Sequence, residues 1–491
     1  RPEKQLRINA ISDVGATPNY SFDDLHEDGK PDYSFSHQEL DDLETYELGL
    51  DDDGYYDDGF PSEQFSDDAE RLLQEVVFPY TKDEPNVPVD ELQRLDAIAD
   101  RIEMIRLKGL GVLCDPSILD GVTYKTLSTR FVRTWRCKNV DGVACWLRRS
   151  RFVAREFAWL NEATENLFSP ASSAIAYRII PTMFLKHQST WGLYAIDIKD
   201  AFLTVEQRDP TMVYAQDASG EIIAYSLGRV LPGQRTGSML WHESLTQHLK
   251  DAIGLVECEC YPSMLKSKCG QCFILLHVDD LFVTGSKQYV NEVLIPCLKA
   301  KYSIAVDSVE NPGDEVSFLK RSHVLLEGGK MLIRSHHKHF SQLKELLGFG
   351  KKYFAKKTPS HPRIDDIDET PALADSDASK YRSAVGTLLY LAPDHPQCQH
   401  AIRFLATQMS SPTEHAWQVL KHLVLYMLGH QDICLSLEFA GETTGVFHEY
   451  TNSPCGVLEV FTDADWGASK MTRCSISSCA IFYGGCLLYS S

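Results

Sequence analysis

Apolar positions along the chain follow two periods, one helical and one alternating. Between Val89 and Leu113, Leu92, Leu95, Ile98, Ile102 and Ile105 recur at helical spacing and Gly109 offers a stop, which predicts an amphipathic helix with a packing role. The stretch KNVDGV, Lys138 to Val143, reads as a tight turn between two strands. Tyr194, Ile196 and Ile198 alternate as strand residues do, which leaves Asp197 on the opposite face before a turn through Lys199 and Asp200 into Ala201–Phe202–Leu203. A Pro/Gly loop, RVLPGQRTGS, then opens a helix whose apolar positions include Leu240, Trp241, Leu245 and Leu249. Two short apolar runs come next, FILLHV and LFVTGS, with Asp279 and Asp280 between them. Tyr381 to Gly429 reads as two helices, and Val457 to Gly485 as strand, acidic loop and strand.

The adjacent aspartates are costly where they stand. An ionised carboxylate taken from water loses several kcal/mol of hydration, and a second one beside it adds repulsion. A tight turn in water would relieve the pair. So would a divalent cation, which holds both carboxylates ionised.

Composition narrows the class. With 491 residues, 43% apolar and 10% aromatic, the chain is long enough for about three or four globular domains. Its net charge of −21 is unevenly spread, because residues 1–70 hold 21 Asp and Glu against 4 Lys and Arg. That segment has too little aliphatic content to offset ordering and reads as a disordered acidic leader, a solvated tail without a motif of its own. The remaining residues are close to neutral and do not exclude a nucleic-acid partner. Fourteen cysteines without an apparent secretory signal point to a reducing, intracellular compartment, and no apolar run approaches the roughly 18 residues of a membrane span. The chain opens on Arg rather than Met and closes within an apolar run, which suggests a piece of a longer polypeptide.

Lys125 to Glu156 carries nine basic residues against two acidic ones, with Trp135 and Trp146 interleaved. A basic, aromatic-bearing β-ribbon suits a phosphate backbone or a triphosphate, although a solvated charged hairpin would look the same in isolation. One aspartate at a strand end and two in a hairpin about eighty residues later suit a two-metal phosphoryl-transfer site. Because side chains alternate faces, Asp279 is expected to be the principal ligand with Asp197, and Asp280 the more peripheral.

These stretches resemble a known family. YAIDIKDAFL and LLHVDDLFVTGS look like motifs A and C of reverse transcriptases, in the wording of copia-type retrotransposon Pol polyproteins. RRSRFVAREF, LFSPASSAIAYRII, YRSAVGTLLYLA and FTDADWGASKMTRCSISSCAIFYGG occur in the family's order, so the resemblance runs from Lys125 to Ser491. It implies an α+β fold: a right-hand polymerase with fingers, palm and thumb, then a connection and a truncated RNase H-like α/β segment. The expected boundaries are an acidic leader over 1–78, fingers and palm over 79–345, thumb and connection over 346–450, and a partial RNase H-like domain over 457–491.

The activity implied is RNA-directed DNA synthesis, adding dNTPs to a primer 3′-hydroxyl with two Mg2+ ions, or Mn2+ in their place. Its partners would be an RNA template, a DNA primer and an integrase upstream in the same polyprotein. Its setting would be a cytoplasmic virus-like particle, the nucleus or both, with no membrane. Carried over by position, Asp197, Asp279 and Asp280 form the catalytic and metal-binding triad. Phe202 is the steric gate against a ribose 2′-hydroxyl, Gly233 and Gln234 cradle the nucleotide and template base, and Arg149 and Arg151 contact the triphosphate. Asp463 matches the first RNase H carboxylate; the later ones fall beyond Ser491, so RNA cleavage is not expected, and Asp465 reads as a turn residue.

The sequence departs from the family at three places: His277 replaces the tyrosine before the aspartates, GQRTGSMLW replaces most of GLKQAPRAW, and Lys320 comes after Phe318–Leu319 where the family has glycine. A catalytically decayed remnant that keeps only nucleic-acid binding is therefore the alternative. Another palm-type nucleotidyl enzyme shares the metal logic but leaves the block after residue 380 unexplained. Cys258, Cys260, Cys269 and Cys272 offer a rival four-thiolate zinc site, with ordinary hairpin cysteines as the default.

Overall fold

The computed structural model describes residues 67–81, 84–140, 143–156, 167, 169–170, 173–216, 221–440, 458–467 and 473–491. The leader reading over the first 66 residues lies outside them. The architecture mixes α and β throughout.

Helix α1 (Asp67–Glu75) leads into β1 (Val77–Pro79), α2 (Val89–Gly109) and β2 (Leu113–Cys114). The basic block is a hairpin of β3 (Lys125–Val140) and β4 (Val143–Arg155), in register from Ser128↔Arg155 to Val140↔Val143. With β6 (Thr211–Gln216) and β7 (Ile222–Leu227) these strands form a six-stranded sheet in the order β1-β4-β3-β6-β7-β2. The leader boundary drawn at residue 78 is thereby corrected. Leu72, Leu73, Val76 and Phe78 pack with Leu95, Ile102 and Leu147, so the ordered fold already includes α1 and β1.

After α3 (Ala174–Lys186), whose Ser173 cap accepts from the Ala176 amide, comes β5 (Trp191–Ile198). Helix α4 (Gly237–Ile253) stops at Gly254, which is left-handed as a helix end favours. Next are β8 (Val256–Cys258), β9 (Tyr261–Lys266), β10 (Cys272–His277), β11 (Asp280–Ser286) and, after a helical stretch over 287–299, β12 (Ile304–Val309). These strands form the central sheet, β12-β5-β11-β10-β9-β8. Both of its faces are covered, which is why its strands read as nearly unbroken apolar runs. Tyr194, Ile196, Ile274, Leu276, Leu281 and Val283 pack on α4 and residues 290–302. Leu193, Leu275 and Phe282 pack on α3 and a third sheet.

That third sheet is β13 (Glu315–Phe318), β14 (Arg321–Leu326), β15 (Lys330–Ser335) and β16 (Leu435–Glu438), in sequence order. Between β15 and β16 the chain makes α5 (His337–Leu346), α6 (Asp375–Leu391), α7 (Gln399–Thr407) and α8 (Glu414–Gly429), which share one apolar core. Three helices, not two, therefore occupy the region around Tyr381–Gly429. The boundary at 345 also shifts: α5 buries Phe340 and Leu343 in the core of the later helices, while β16 returns to the third sheet.

Arg321 ties the two parts together. Its buried guanidinium donates to Asp394 and to the Tyr390 carbonyl at 2.9 Å, and lies over the Tyr390 ring. Last come β17 (Leu458–Ala464), β18 (Ser477–Tyr483) and β19 (Cys486–Ser490), an antiparallel three-stranded sheet. Among the described residues no helix is long and apolar enough to cross a membrane.

Candidate active site

Register brings the sequence-distant aspartates together. β11 pairs with β5 so that Asp280 stands directly opposite Asp197, and opposite residues of an antiparallel pair share a face. Asp280, the peripheral member by strand alternation alone, is thus the cross-strand neighbour of Asp197. Asp279 lies in the two-residue loop between His277 and Asp280, where alternation no longer sets a side chain's direction. Its carbonyl accepts from the Ile198 amide at 3.0 Å, which holds the loop against the end of β5.

The loop is strained and clamped. Val278 has φ of 54°, a left-handed value that a β-branched residue rarely adopts and that costs of order 1–3 kcal/mol. Trp241 of α4, itself buried, donates its indole N–H to the Val278 carbonyl. Periodicity assigns Trp241 only a packing position on the helix, since a side chain's bond to a carbonyl 37 positions away leaves no periodic trace.

The donor chemistry suits magnesium, which prefers hard carboxylate oxygens. Among the described residues no three His, Cys, Asp or Glu side chains converge into a finished cation cage. Magnesium does not need one, being commonly held by one or two carboxylates together with substrate phosphates. The zinc alternative has no such latitude. Cys258 and Cys260 lie at the β8–β9 turn and Cys269 and Cys272 at the β9–β10 turn, opposite ends of a six-residue strand about 20 Å long.

Arg149 and Arg151 lie two apart on β4 and so share a face, both half-buried. Other cations of the ribbon are paired to α2: Arg148 donates to Asp96 at 2.6 Å and Arg133 to Asp100 at 2.8 Å. No carboxylate among the described residues is in ion-pair contact with Arg149 or Arg151. Burial, with Arg151 and Arg106 nearby, pushes the Arg149 guanidinium down to about 10. Burial and Arg136 lower Arg151 as well. An anion arriving here would relieve both.

Phe202 is half-buried beside the central core, with its ring against Gly237. Gly233 has φ of 90° and lies so close to β4 that an added Cβ would stand 2.1 Å from the Ala154 carbonyl oxygen. The Ala154 amide donates to Pro232 at 2.8 Å, which seats the loop on the strand carrying the two arginines. Gln234 is buried, and its amide is used within the turn: Oε1 accepts from the Leu231 amide at 2.6 Å and Nε2 donates to Gln207 at 3.2 Å. Asp463 is exposed on β17, away from the triad in sequence and sheet. Asp465 closes its loop by accepting from the Ile476 amide at 2.9 Å, as a turn residue does.

Sequence relatives give the chain its context. The chain is 23% identical over 329 residues to the retrovirus-related Pol polyprotein from transposon RE1 of Arabidopsis thaliana, covering 65% of this chain and 20% of that protein. For the RE2 polyprotein of the same plant the identity is 24% over 332 residues, again 65% and 20%. Both of these homologues are retrovirus-related Pol polyproteins from transposons. The chain spans about a fifth of the length of these polyproteins. An uncharacterized mitochondrial protein of Arabidopsis thaliana, AtMg00810, is 26% identical over 216 residues, 43% of this chain and 79% of that one. No family model matches.

Among solved structures, a foamy viral protease–reverse transcriptase in complex with double-stranded DNA superposes at TM-score 0.42 with 12% identity, over 89% of this chain and 68% of that one. Candida albicans telomerase superposes at 0.32 with 10% identity, over 71% and 68%. Likenesses this loose carry no functional weight.

Proposed function

We propose that this chain is the RNA-directed DNA polymerase part of a copia-type retrotransposon Pol polyprotein. The observation that carries the reading is the register of β5 and β11, which sets Asp197 opposite Asp280 with Asp279 in the adjoining loop. On this reading the central sheet is the palm, the β3–β4 hairpin with α2 the fingers, α5 to α8 the thumb and connection, and β17 to β19 the start of an RNase H-like domain.

The reaction joins a primer 3′-oxygen to the α-phosphorus of a dNTP; the bond to pyrophosphate breaks and the hydroxyl proton leaves. Asp197, Asp279 and Asp280 would hold the magnesium ions, whose contribution when bound is to stabilise the charge on the entering and leaving oxygens. Arg149 and Arg151 bind and orient the triphosphate, a role suited to guanidiniums whose charge burial and neighbouring arginines disfavour. Phe202 excludes a 2′-hydroxyl from the sugar position. The Pro232–Gly233 loop holds β4 against the palm through Ala154. RNA template and DNA primer supply sequence choice by base pairing.

Primer extension on an RNA template tests the reading. Synthesis should require dNTPs and Mg2+ or Mn2+ and disappear in Asp279→Asn while the far-UV spectrum stays unchanged. Salt-sensitive nucleic-acid binding through the β3–β4 block without any synthesis would instead establish the decayed remnant.

A further inference from the structure

The turn just after Asp197 is held from outside the palm by a buried arginine. Asp200 has φ of 53°, a left-handed value that few side chains tolerate and Asp and Asn tolerate best. From the buried face of α2, Arg106 Nη1 donates to Asp200 Oδ2 at 2.7 Å. The rest of that guanidinium is fixed on its own helix, with Nε and Nη2 donating to the two Glu103 oxygens at 2.9 and 3.1 Å. Glu103 and Arg106 are nine-tenths buried, and Glu103 also faces the Phe152 amide, next to Arg151 on β4. The fork is therefore pre-set before it reaches Asp200, which makes its direction stiff.

Asp200 in turn opens the short 3-10 turn Ala201–Thr204 that carries Phe202, with the Leu203 amide donating to the Asp200 carbonyl at 2.9 Å. A change in φ at residue 200 swings that turn, and the Phe202 ring with it.

We propose that Arg106 is a positioning residue for sugar selection: by tethering Asp200 it fixes the left-handed turn that aims Phe202 at the 2′-position of the incoming nucleotide. This rests on the polymerase reading above. A salt bridge that merely stabilised the fold would be satisfied by Glu103 alone and would leave selectivity untouched.

The test is single-nucleotide insertion with matched dNTP and rNTP, comparing kcat/KM ratios. Asp200→Asn keeps both left-handed tolerance and an acceptor oxygen, and should retain most of the discrimination. Asp200→Gly keeps the turn accessible but cuts the tether while Arg106 stays neutralised by Glu103, so folding should persist. Its dNTP preference should fall about tenfold, the lower end of what one charge-assisted hydrogen bond is worth. Arg106→Gln should lose as much, and the double variant no more than either single one.

Unchanged selectivity in Asp200→Gly, with only kcat lowered, would overturn the assignment, as would additive losses in the double variant. A wild-type chain that inserts no nucleotide would overturn the polymerase reading and this assignment with it. An active wild type with an indifferent Asp200→Gly variant would overturn the assignment alone.

Discussion

Replacing Asp280 by asparagine removes one of two like charges that β5 and β11 place directly opposite each other. Opposite Cβ atoms lie about 4.5–5.5 Å apart in such pairs. Two unit charges ~5 Å apart repel by about 0.8 kcal/mol in bulk water and about 3 kcal/mol at an effective dielectric of about 20. Asp197 is exposed and Asp280 only half-buried, so the low end applies, about 1 kcal/mol. In EDTA, Asp280→Asn should therefore be more stable than the wild type by about that amount, a rise of roughly 0.3 M in urea midpoint for a slope near 3 kcal/mol/M.

Magnesium should reverse the order. At about ten times its dissociation constant it adds about 1.4 kcal/mol to a protein that binds it only when folded, and the variant, short of one carboxylate, should gain much less. Urea melts monitored by far-UV circular dichroism, with EDTA or MgCl2, measure both effects without any turnover. If the variant is no more stable in EDTA, or if magnesium stabilises both proteins equally, the paired carboxylates are not the metal site.

Packing elsewhere in the chain sets three more expectations. Asp394→Ala leaves Arg321 charged and buried without its partner, and should cost about 3–5 kcal/mol in urea unfolding; replacing both residues by apolar ones should recover most of it. His323 is fully buried against the Tyr177 hydroxyl at 2.7 Å, and burial pushes its imidazole down to about 3. Its unfolded value is near 6.5, so between those two values the unfolded chain binds the extra proton. Stability should thus be complete above about pH 6.5 and fall by up to about 1.4 kcal/mol per unit as pH drops towards 3, a slope that a conservative His323→Gln variant should flatten. Gly233→Ala should drive the loop off Ala154 and combine a strained φ with a lost hydrogen bond, about 2–3 kcal/mol by denaturation, with a raised KM for nucleotide.

Local periodicity made much of this site legible. The alternation through Tyr194, Ile196 and Ile198 put Asp197 on the opposite face, and the apolar runs around Asp279 and Asp280 are the hairpin they suggested. The β3–β4 pairing likewise matches the two strands read on either side of residues 141–142, which lie outside the described residues. Pairings between distant segments left no such trace. The rank of Asp280 depended on the register between β5 and β11, which adjacency in sequence does not reveal. Arg106 and Asp200 are 94 positions apart, although two opposite charges three residues apart on the buried face of an amphipathic helix were a readable sign that something polar lay opposite. Helix α7 escaped because Pro393 and Pro396, just before it, make the segment look like a loop.

The return of β16 to β15 has a bearing on how the protein is made. A ribosome adding about 5–20 residues per second needs some 5–20 s to travel from Ser335 to Leu435, and until then the outer edge of β15 has no neighbour. Unpaired edges of this kind recruit other chains, and charged side chains are the usual deterrent. Lys330 and Arg334 sit on that strand, and Lys330 later meets Glu438 of the arriving strand at 2.9 Å. The same lysine that guards the waiting edge thus becomes part of the seam that closes it.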